Sequence, residues 1–267
     1  MLSKAKSAEA SREGGEKYAA IILGAGKGTR MNEGQASPIP KVMFEMHGKP
    51  VIHYSVESIK NAGIENIIVV VGYKKEMVEE YLGDSAKYAI QEEQLGTGHA
   101  AMMAEELLEG KVESLIIFYG DNPLYKPETI KKLVALYENE KPTIAMLSVV
   151  FKDPVFWAFG RIIRDQNNEV TGIIEHKDCA PEQLKICESN PGFYIIQADW
   201  FWENGKKIEK KNAQGEFYLT DIVAIAREQG KKIIAMPVSE ESEALGINTL
   251  EQLKQAEAVI KNRSSNE

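Results

Sequence analysis

Cysteine is nearly missing from this chain: Cys179 and Cys187 are the only two in 267 residues. Two thiols cannot staple a disulfide framework or supply the paired ligands of a structural zinc, so a reducing cytoplasm is expected. Long apolar runs are missing too. None reaches the roughly 18 residues of a membrane helix, and residues 1–17 are polar, without the apolar centre of a signal peptide. Nor is there a cationic excess. The 32 Lys and Arg stand against 40 Asp and Glu, a net charge of −8, which removes any global electrostatic case for nucleic acid or an anionic membrane. The histidines, His47, His53, His99 and His176, show no metal-ligand spacing, and Glu79-Glu80 and Glu105-Glu106 read as solvated helix faces.

What is present begins at Tyr18. Residues 19–23, Ala-Ala-Ile-Ile-Leu, are too few for a helix and read as a buried parallel strand. Gly24, Gly26 and Gly28 follow, with Lys27 and Arg30 beside them. A strand ending in such a loop offers oriented N–H groups and cations to an anion, of which nucleotide phosphate is the usual one. Lys27 is followed by Gly28 rather than Ser or Thr, so the Walker A pattern is unmet. The third glycine falls one place early for a dinucleotide or kinase loop, the second strand ends in Gly72 with no acid for a ribose, and no H-R-D or D-F-G occurs. For this stretch alone, an ordinary strand-to-helix turn remains the alternative.

The remaining pattern alternates. Strands are expected at 19–23, 66–71, 87–90, 114–119 and 143–150, and helices at 51–62, 76–82, 98–108 and 127–139, the last opening on Pro127. Shorter extended pieces follow at 160–164, 170–175 and 192–197, then a helix at 219–228, a strand at 232–237 and a final helix from about Thr249. Thr249 and Gln252 have capping-box spacing, and Leu250, Leu253, Ala256 and Ile260 form an apolar stripe expected to pack in the core. The fold class is therefore α/β: a Rossmann-like, mostly parallel sheet with helices on both faces, and a small antiparallel or mixed β lobe laid against it. A flexible tail is expected over 1–17, a single domain over 18–262 with parts at 18–150 and 151–262, and a polar tail over 263–267.

Ligands of such folds sit beyond the carboxyl ends of the strands. There, Asp121 ends the apolar run 115–119 between Gly120 and Pro123, as a divalent-cation ligand or as a cap or turn residue. The run Gln91 to Ala100 offers glutamine amides that match a pyrimidine edge, or it simply starts the next helix.

Gly24-Ala-Gly-Lys-Gly-Thr-Arg-Met, Pro40-Lys41, Gln94-Leu-Gly-Thr-Gly-His-Ala, Tyr119-Gly-Asp, Gly160-Arg-Ile, Glu175-x-Lys-Asp, Glu216-Phe-Tyr-Leu-Thr-Asp-Ile and Gly246-Ile-Asn occur in that order. Together they resemble the nucleotide-sugar pyrophosphorylases, most nearly the N-acetylglucosamine-1-phosphate uridylyltransferase domain of the bacterial bifunctional enzymes that make UDP-N-acetylglucosamine. The likeness spans roughly residues 18–260, and the ordered set is more specific than any one motif.

The resemblance implies that Leu23, Gly24, Ala25, Gly26, Lys27 and Gly28 wrap the nucleotide, with Arg30 on the triphosphate and Lys41 neutralising phosphate charge. It implies Gln91, Gln94, Gly96 and Thr97 around uracil, Asp121 and Asn248 on Mg²⁺, and Gly160, Glu175, Asn190, Tyr218 and Thr220 at the sugar, which places nucleotide binding in 18–150 and sugar binding in 151–262. The implied substrates are UTP and a sugar-1-phosphate, and the products a UDP-sugar and pyrophosphate. Another sugar or nucleotide, or a non-catalytic nucleotide-sugar sensor, are the competing readings. Gly24, Asn122 and His176 depart from the family's usual residues, and ten residues, 31–40, separate Arg30 from Lys41. No sequence follows the final helix for the family's acetyltransferase β-helix, so acetyl transfer is not expected of this chain.

Overall fold

The apolar run after Tyr18 becomes the centre of the sheet, strand β1 (Glu16–Leu23), because Ala19, Ala20, Ile21 and Ile22 are all fully buried and can bury both faces only inside a layered sheet. The computed structural model describes residues 16–34, 36–153, 155 and 158–264. Among the described residues the elements after β1 run β2 (Glu45–Met46), β3 (Lys49–Pro50), α1 (Val51–Asn61), β4 (Ile67–Val71), α2 (Lys75–Leu82), β5 (Lys87–Ile90), α3 (Thr97–Met102), α4 (Glu105–Leu108), β6 (Val112–Tyr119) and α5 (Pro127–Glu140). Then come β7 (Ile144–Val150), β8 (Gly160–Arg164), β9 (Val170–Ile174), β10 (Glu188–Asn190), β11 (Phe193–Gln197), α6 (Ala198–Gly205), α7 (Asp221–Glu228), β12 (Ile233–Pro237) and α8 (Leu250–Ser264).

The strand order is β5-β4-β1-β6-β11-β7-β10-β8-β9, with β12 also paired to β7. β5, β4, β1 and β6 are mutually parallel, β11 runs antiparallel between β6 and β7, and β12 is parallel to β7. Alternation along β1 divides the core: Ala19 and Ile21 face Ala101, Leu108, Phe201 and Ile222 of the α3, α4, α6 and α7 layer. Ala20 and Ile22 face Ile52, Val56, Val78 and Leu133 of the α1, α2 and α5 layer. At about 1.5–3 kcal/mol for each fully buried aliphatic side chain, these two layers are the main stabilising term. A third cluster, including Met31, Phe44, Leu124, Phe151, Ile247 and Ala256, packs α8 beneath the loops at the carboxyl ends of the strands.

The structure amends several expectations. Glu16 and Lys17, assigned to a tail, are the first residues of β1, and residues 1–15 of that tail lie outside the described residues. Arg263 and Ser264 belong to α8, where Arg263 donates to the Leu124 carbonyl at 2.8 Å; residues 265–267 lie outside the described residues. The β lobe is not laid against the sheet but extends it. β7 pairs with β11 and β12 along 144–148 and then with β10 at 149 and 150, so β10, β8 and β9 continue antiparallel from its end. The single helix expected at 98–108 is two, because Met103 and Ala104 donate to carbonyls three residues back and tighten the chain there. Leu250 stands 47% exposed, while Gln252 is buried in its place. Among the described residues no helix is long and apolar enough to cross a membrane.

Candidate active site

The glycine loop leaves β1 pinned to its neighbour, with Gly24 N–H donating to the Val70 carbonyl at 2.9 Å. At Gly28 the backbone turns with φ +63°, and a Cβ there would lie 3.0 Å from both Cα and Cβ of Lys41, so only glycine admits both the turn and the approach. Lys41 N–H donates to the Gly26 carbonyl at 3.2 Å, which fixes the lysine against the loop despite the ten intervening residues. Asn32 closes that run: its Nδ2 donates to the carbonyls of Lys27, Gly28 and Ile39, and its Oδ1 accepts from Ile39 N–H at 2.9 Å. Nothing in the sequence distinguishes Asn32 from any other loop asparagine.

Asp121 follows β6 and Asn248 precedes α8, and Ile247 N–H donates to the Asp121 carbonyl at 2.9 Å, joining the two segments side by side. The Lys41 ammonium forms an ion pair with Asp121 Oδ2 and donates to Asn248 Oδ1 at 2.6 Å. Arg30 Nη2 donates to the same Asn248 oxygen at 3.1 Å. Four groups from positions 30, 41, 121 and 248 thus meet at one point. The capping-box pair holds the last of them: Thr249 Oγ1 accepts from Gln252 N–H at 3.2 Å, and Gln252 Oε1 accepts from Asn248 N–H at 2.8 Å.

Two cavities open in this region, and the larger is lined by members of the cluster. One, of about 220 Å³, is lined by Leu23, Ala25, Gly26, Gln91, Gln94, Gly96 and Thr97. The other, of about 360 Å³, is lined by Arg30, Asp121 and Asn248 together with Gly160, Glu175, Asn190 and Tyr218. Thr97, Tyr119 and Glu216 line both, so the two form one cleft. Tyr119 lies over the backbone of Gly192, where φ is +79° and a Cβ would come within 2.1 Å of the ring. Tyr119 and Glu216 lie outside the expected set. Their positions, just before Gly120-Asp121 and two before Tyr218, are the signals that could have found them.

Gly24, Lys27, Gly28, Lys41 and Thr220, expected at the ligands, line neither cavity, although the Lys41 ammonium reaches Asp121 and Asn248 on the wall of the larger one. Gly24 is buried at the end of β4, Lys27 is exposed, and Thr220 is buried behind Glu175, to whose Oε1 it donates at 3.1 Å. Gln91 Nε2 donates to the Gly96 carbonyl at 3.1 Å and lies 3.0 Å from His99 Nδ1, so this amide shapes the loop it belongs to. Asn190 is held at both ends of its amide, by Tyr194 Oη and by Gly192 N–H.

Residues 19–242 match the family model described as Nucleotidyl transferase. The chain belongs to the nucleotidyl transferase family. It is similar to the Bifunctional protein GlmU of Caldanaerobacter subterraneus subsp. tengcongensis, 45% identical over 250 residues that cover 93% of this chain and 52% of that protein. Its likeness to the Bifunctional protein GlmU of Clostridium novyi is 41% over 245 residues, covering 91% of this chain and 52% of the relative. The chain therefore spans about half the length of the curated relatives it matches. Among solved structures it resembles UDP-glucose pyrophosphorylase complexed with UDP-glucose, with a TM-score of 0.76 at 21% identity over 92% of this chain and 99% of that one. A putative glucose-1-phosphate thymidylyltransferase from Bacillus anthracis, in complex with a sucrose, gives 0.73 at 23% identity over 91% and 94%. The expected α/β nucleotidyltransferase fold is thereby met, and so is the resemblance to the sugar nucleotidyltransferases.

In this nucleotidyl transferase the donor set suits a hard divalent cation. Among the described residues no group of three or more His, Cys, Asp or Glu could hold a metal. One carboxylate and one amide oxygen, Asp121 and Asn248, nevertheless share a cation already, the Lys41 ammonium. Two hard oxygens completed by phosphate and water are what Mg²⁺ commonly takes.

Glu175 sits on the far wall of the larger cavity, and burial pushes its pKa up, opposed by the Thr220 hydroxyl and reinforced by Asp221 and Asp178. A carboxyl with a raised folded pKa binds its proton more tightly folded than unfolded. Stability therefore falls as pH rises from the unfolded value of about 4.3 through the folded one, and stays lower above it. Glu175→Gln is expected to raise the Tm of the ligand-free transferase at pH 8 by roughly 2–4 °C, the shift that ~1 kcal/mol gives in a domain of this size, and to leave it unchanged at pH 4. Thermal melts at the two pH values check this, and equal effects at both would overturn it.

Proposed function

We propose that this chain transfers a uridylyl group from UTP to N-acetylglucosamine-1-phosphate, forming UDP-N-acetylglucosamine and pyrophosphate in a Mg²⁺-dependent reaction. The observation that carries the reading is the meeting of Arg30, Lys41, Asp121 and Asn248, three of which line the larger of two cavities that share Thr97, Tyr119 and Glu216. A triphosphate placed there has the base cavity of Gln91, Gln94, Gly96 and Thr97 on one side and the walls of Glu175 and Asn190 on the other. The choice of N-acetylglucosamine rests on the ordered motifs shared with the uridylyltransferase domain of the bifunctional enzymes.

In the reaction an oxygen of the sugar phosphate attacks the α-phosphorus of UTP; the new O–P bond forms as the bond to the β-phosphate oxygen breaks, and pyrophosphate leaves with that electron pair. The attacking oxygen is already an anion, so no side chain has to remove a proton. What remains is to align two anions that repel one another and to stabilise charge as it spreads in the transition state. Arg30 and Lys41 bring cations to that place. Asp121 and Asn248 would hold Mg²⁺, which when bound supplies charge neutralisation on the phosphates. Glu175 and Asn190 offer a carboxylate and an amide to sugar hydroxyls and an acetamido group.

The test is pyrophosphate release by the purified chain over a panel of nucleoside triphosphates with N-acetylglucosamine-1-phosphate, glucose-1-phosphate and galactosamine-1-phosphate, each with Mg²⁺ and with EDTA. Release is expected with UTP and N-acetylglucosamine-1-phosphate and is expected to vanish with EDTA. No release from any pair would overturn nucleotidyl transfer, and preference for another pair would overturn the choice of substrate.

A further inference from the structure

Asn122 lies beside Asp121 with its side chain only 1% exposed. Its Nδ2 donates to the Pro191 carbonyl and, at 3.2 Å, to Tyr125 Oη, and Tyr125 Oη donates to the same carbonyl at 3.0 Å. Its Oδ1 rests on Gly246, where a Cβ would lie 2.6 Å away, so no larger residue fits there while the amide stays in place. Its backbone N–H donates to the Tyr119 carbonyl at 3.1 Å.

Every segment that this amide touches carries a group of the cleft. Asp121 is its neighbour in the chain, Pro191 follows Asn190, and Gly246 is two residues before Asn248. A buried amide is costly to leave unpaired and its bonds are directional, so the segments it joins are held where those bonds can form. Lys41 and Ile247 N–H tie Asp121 to the Asn248 segment; Asn122 adds the link from both to the sugar wall. We propose that Asn122 is a positioning residue that fixes the Asp121–Asn248 pair relative to Asn190, so that the metal site and the sugar-phosphate site are held at one separation. The inference rests on the nucleotidyl-transfer reading above. A displacement of about 1 Å in such a site is enough to cost on the order of a hundredfold in rate.

Asn122→Leu keeps the shape and removes the hydrogen bonds. Initial rates of the full chain would be measured against sugar phosphate, Mg²⁺ and UTP, and Mn²⁺ binding would be followed by EPR with UTP present and sugar phosphate absent. The expected result is a KM for sugar phosphate about tenfold higher and Mn²⁺ held about tenfold less tightly, with the KM for UTP at saturating metal within about twofold of wild type. Both values within twofold of wild type, with only Tm lowered, would make Asn122 a plain structural residue and overturn the inference. Should the leucine variant fail to fold, Asn122→Asp retains the volume and loses the Nδ2 donor, and the same expectations apply. A wild-type chain that neither releases pyrophosphate nor holds Mn²⁺ with UTP would overturn the parent reading, and this inference with it. Wild-type turnover with an unchanged variant overturns this inference alone.

Discussion

Asp121→Ala is expected to lower kcat/KM for pyrophosphate release by about 10³ or more, roughly 4 kcal/mol of transition-state stabilisation. The change removes the only carboxylate in the Arg30, Lys41, Asp121 and Asn248 cluster, and leaves the Lys41 ammonium with Asn248 Oδ1 alone of its two partners there. The fold should survive, because the bond that joins this loop to the Asn248 segment runs from Ile247 N–H to the backbone carbonyl of residue 121, which alanine keeps. Far-UV circular dichroism and Tm alongside steady-state rates separate the two effects. Activity within tenfold of wild type in a folded variant would remove Asp121 from the chemistry.

Lys41→Met should split two quantities that usually move together. Its ammonium occupies the same two oxygens proposed for Mg²⁺, so it competes with the metal while also supplying charge to the phosphates. Without it, kcat is expected to fall by about 10² from lost charge stabilisation, while the Mg²⁺ concentration for half-maximal rate falls severalfold because the site is vacated. The Asp121 side chain, 20% exposed, would also lose its counter-ion in the metal-free protein. Removing one member of a largely buried pair destabilises, so Tm in EDTA should drop and Mg²⁺ should restore part of it. Metal-titrated rates and melts with and without Mg²⁺ check both parts. A rise in the Mg²⁺ requirement would show that Lys41 assists the metal instead of competing with it.

Much of this molecule was legible locally. The apolar run expected at 66–71 became β4, buried throughout, because a short β-branched run flanked by turn residues has few other ways to hide both faces. β5, with Lys87 and Ile90 exposed, is the edge strand beside it. The strand ends and their glycines marked where ligands gather, and Thr249 with Gln252 marked the start of α8. Elements that exist only through their neighbours were missed. β10 has three residues and is a strand because β7 and β8 pair with it on either side. α6 carries no helical period in its sequence, because Trp200, Phe201 and Trp202 stand together and do not recur at helical spacing.

The same division holds for the cleft. Residue type and order within each loop, set by short-range sterics and hydrogen-bonding capacity, were enough to single out Arg30 and Asp121 and to suggest phosphate and a cation, while Lys41 and Asn248 were marked only by the resemblance to the nucleotide-sugar pyrophosphorylases. Which oxygens Lys41 would hold, that Thr220 would stand behind Glu175 instead of in the cavity, and that Asn122 would join three loops were decided only by the fold. Bonds that span 80 to 207 residues depend on sheet register and helix packing, and no local propensity encodes those distances.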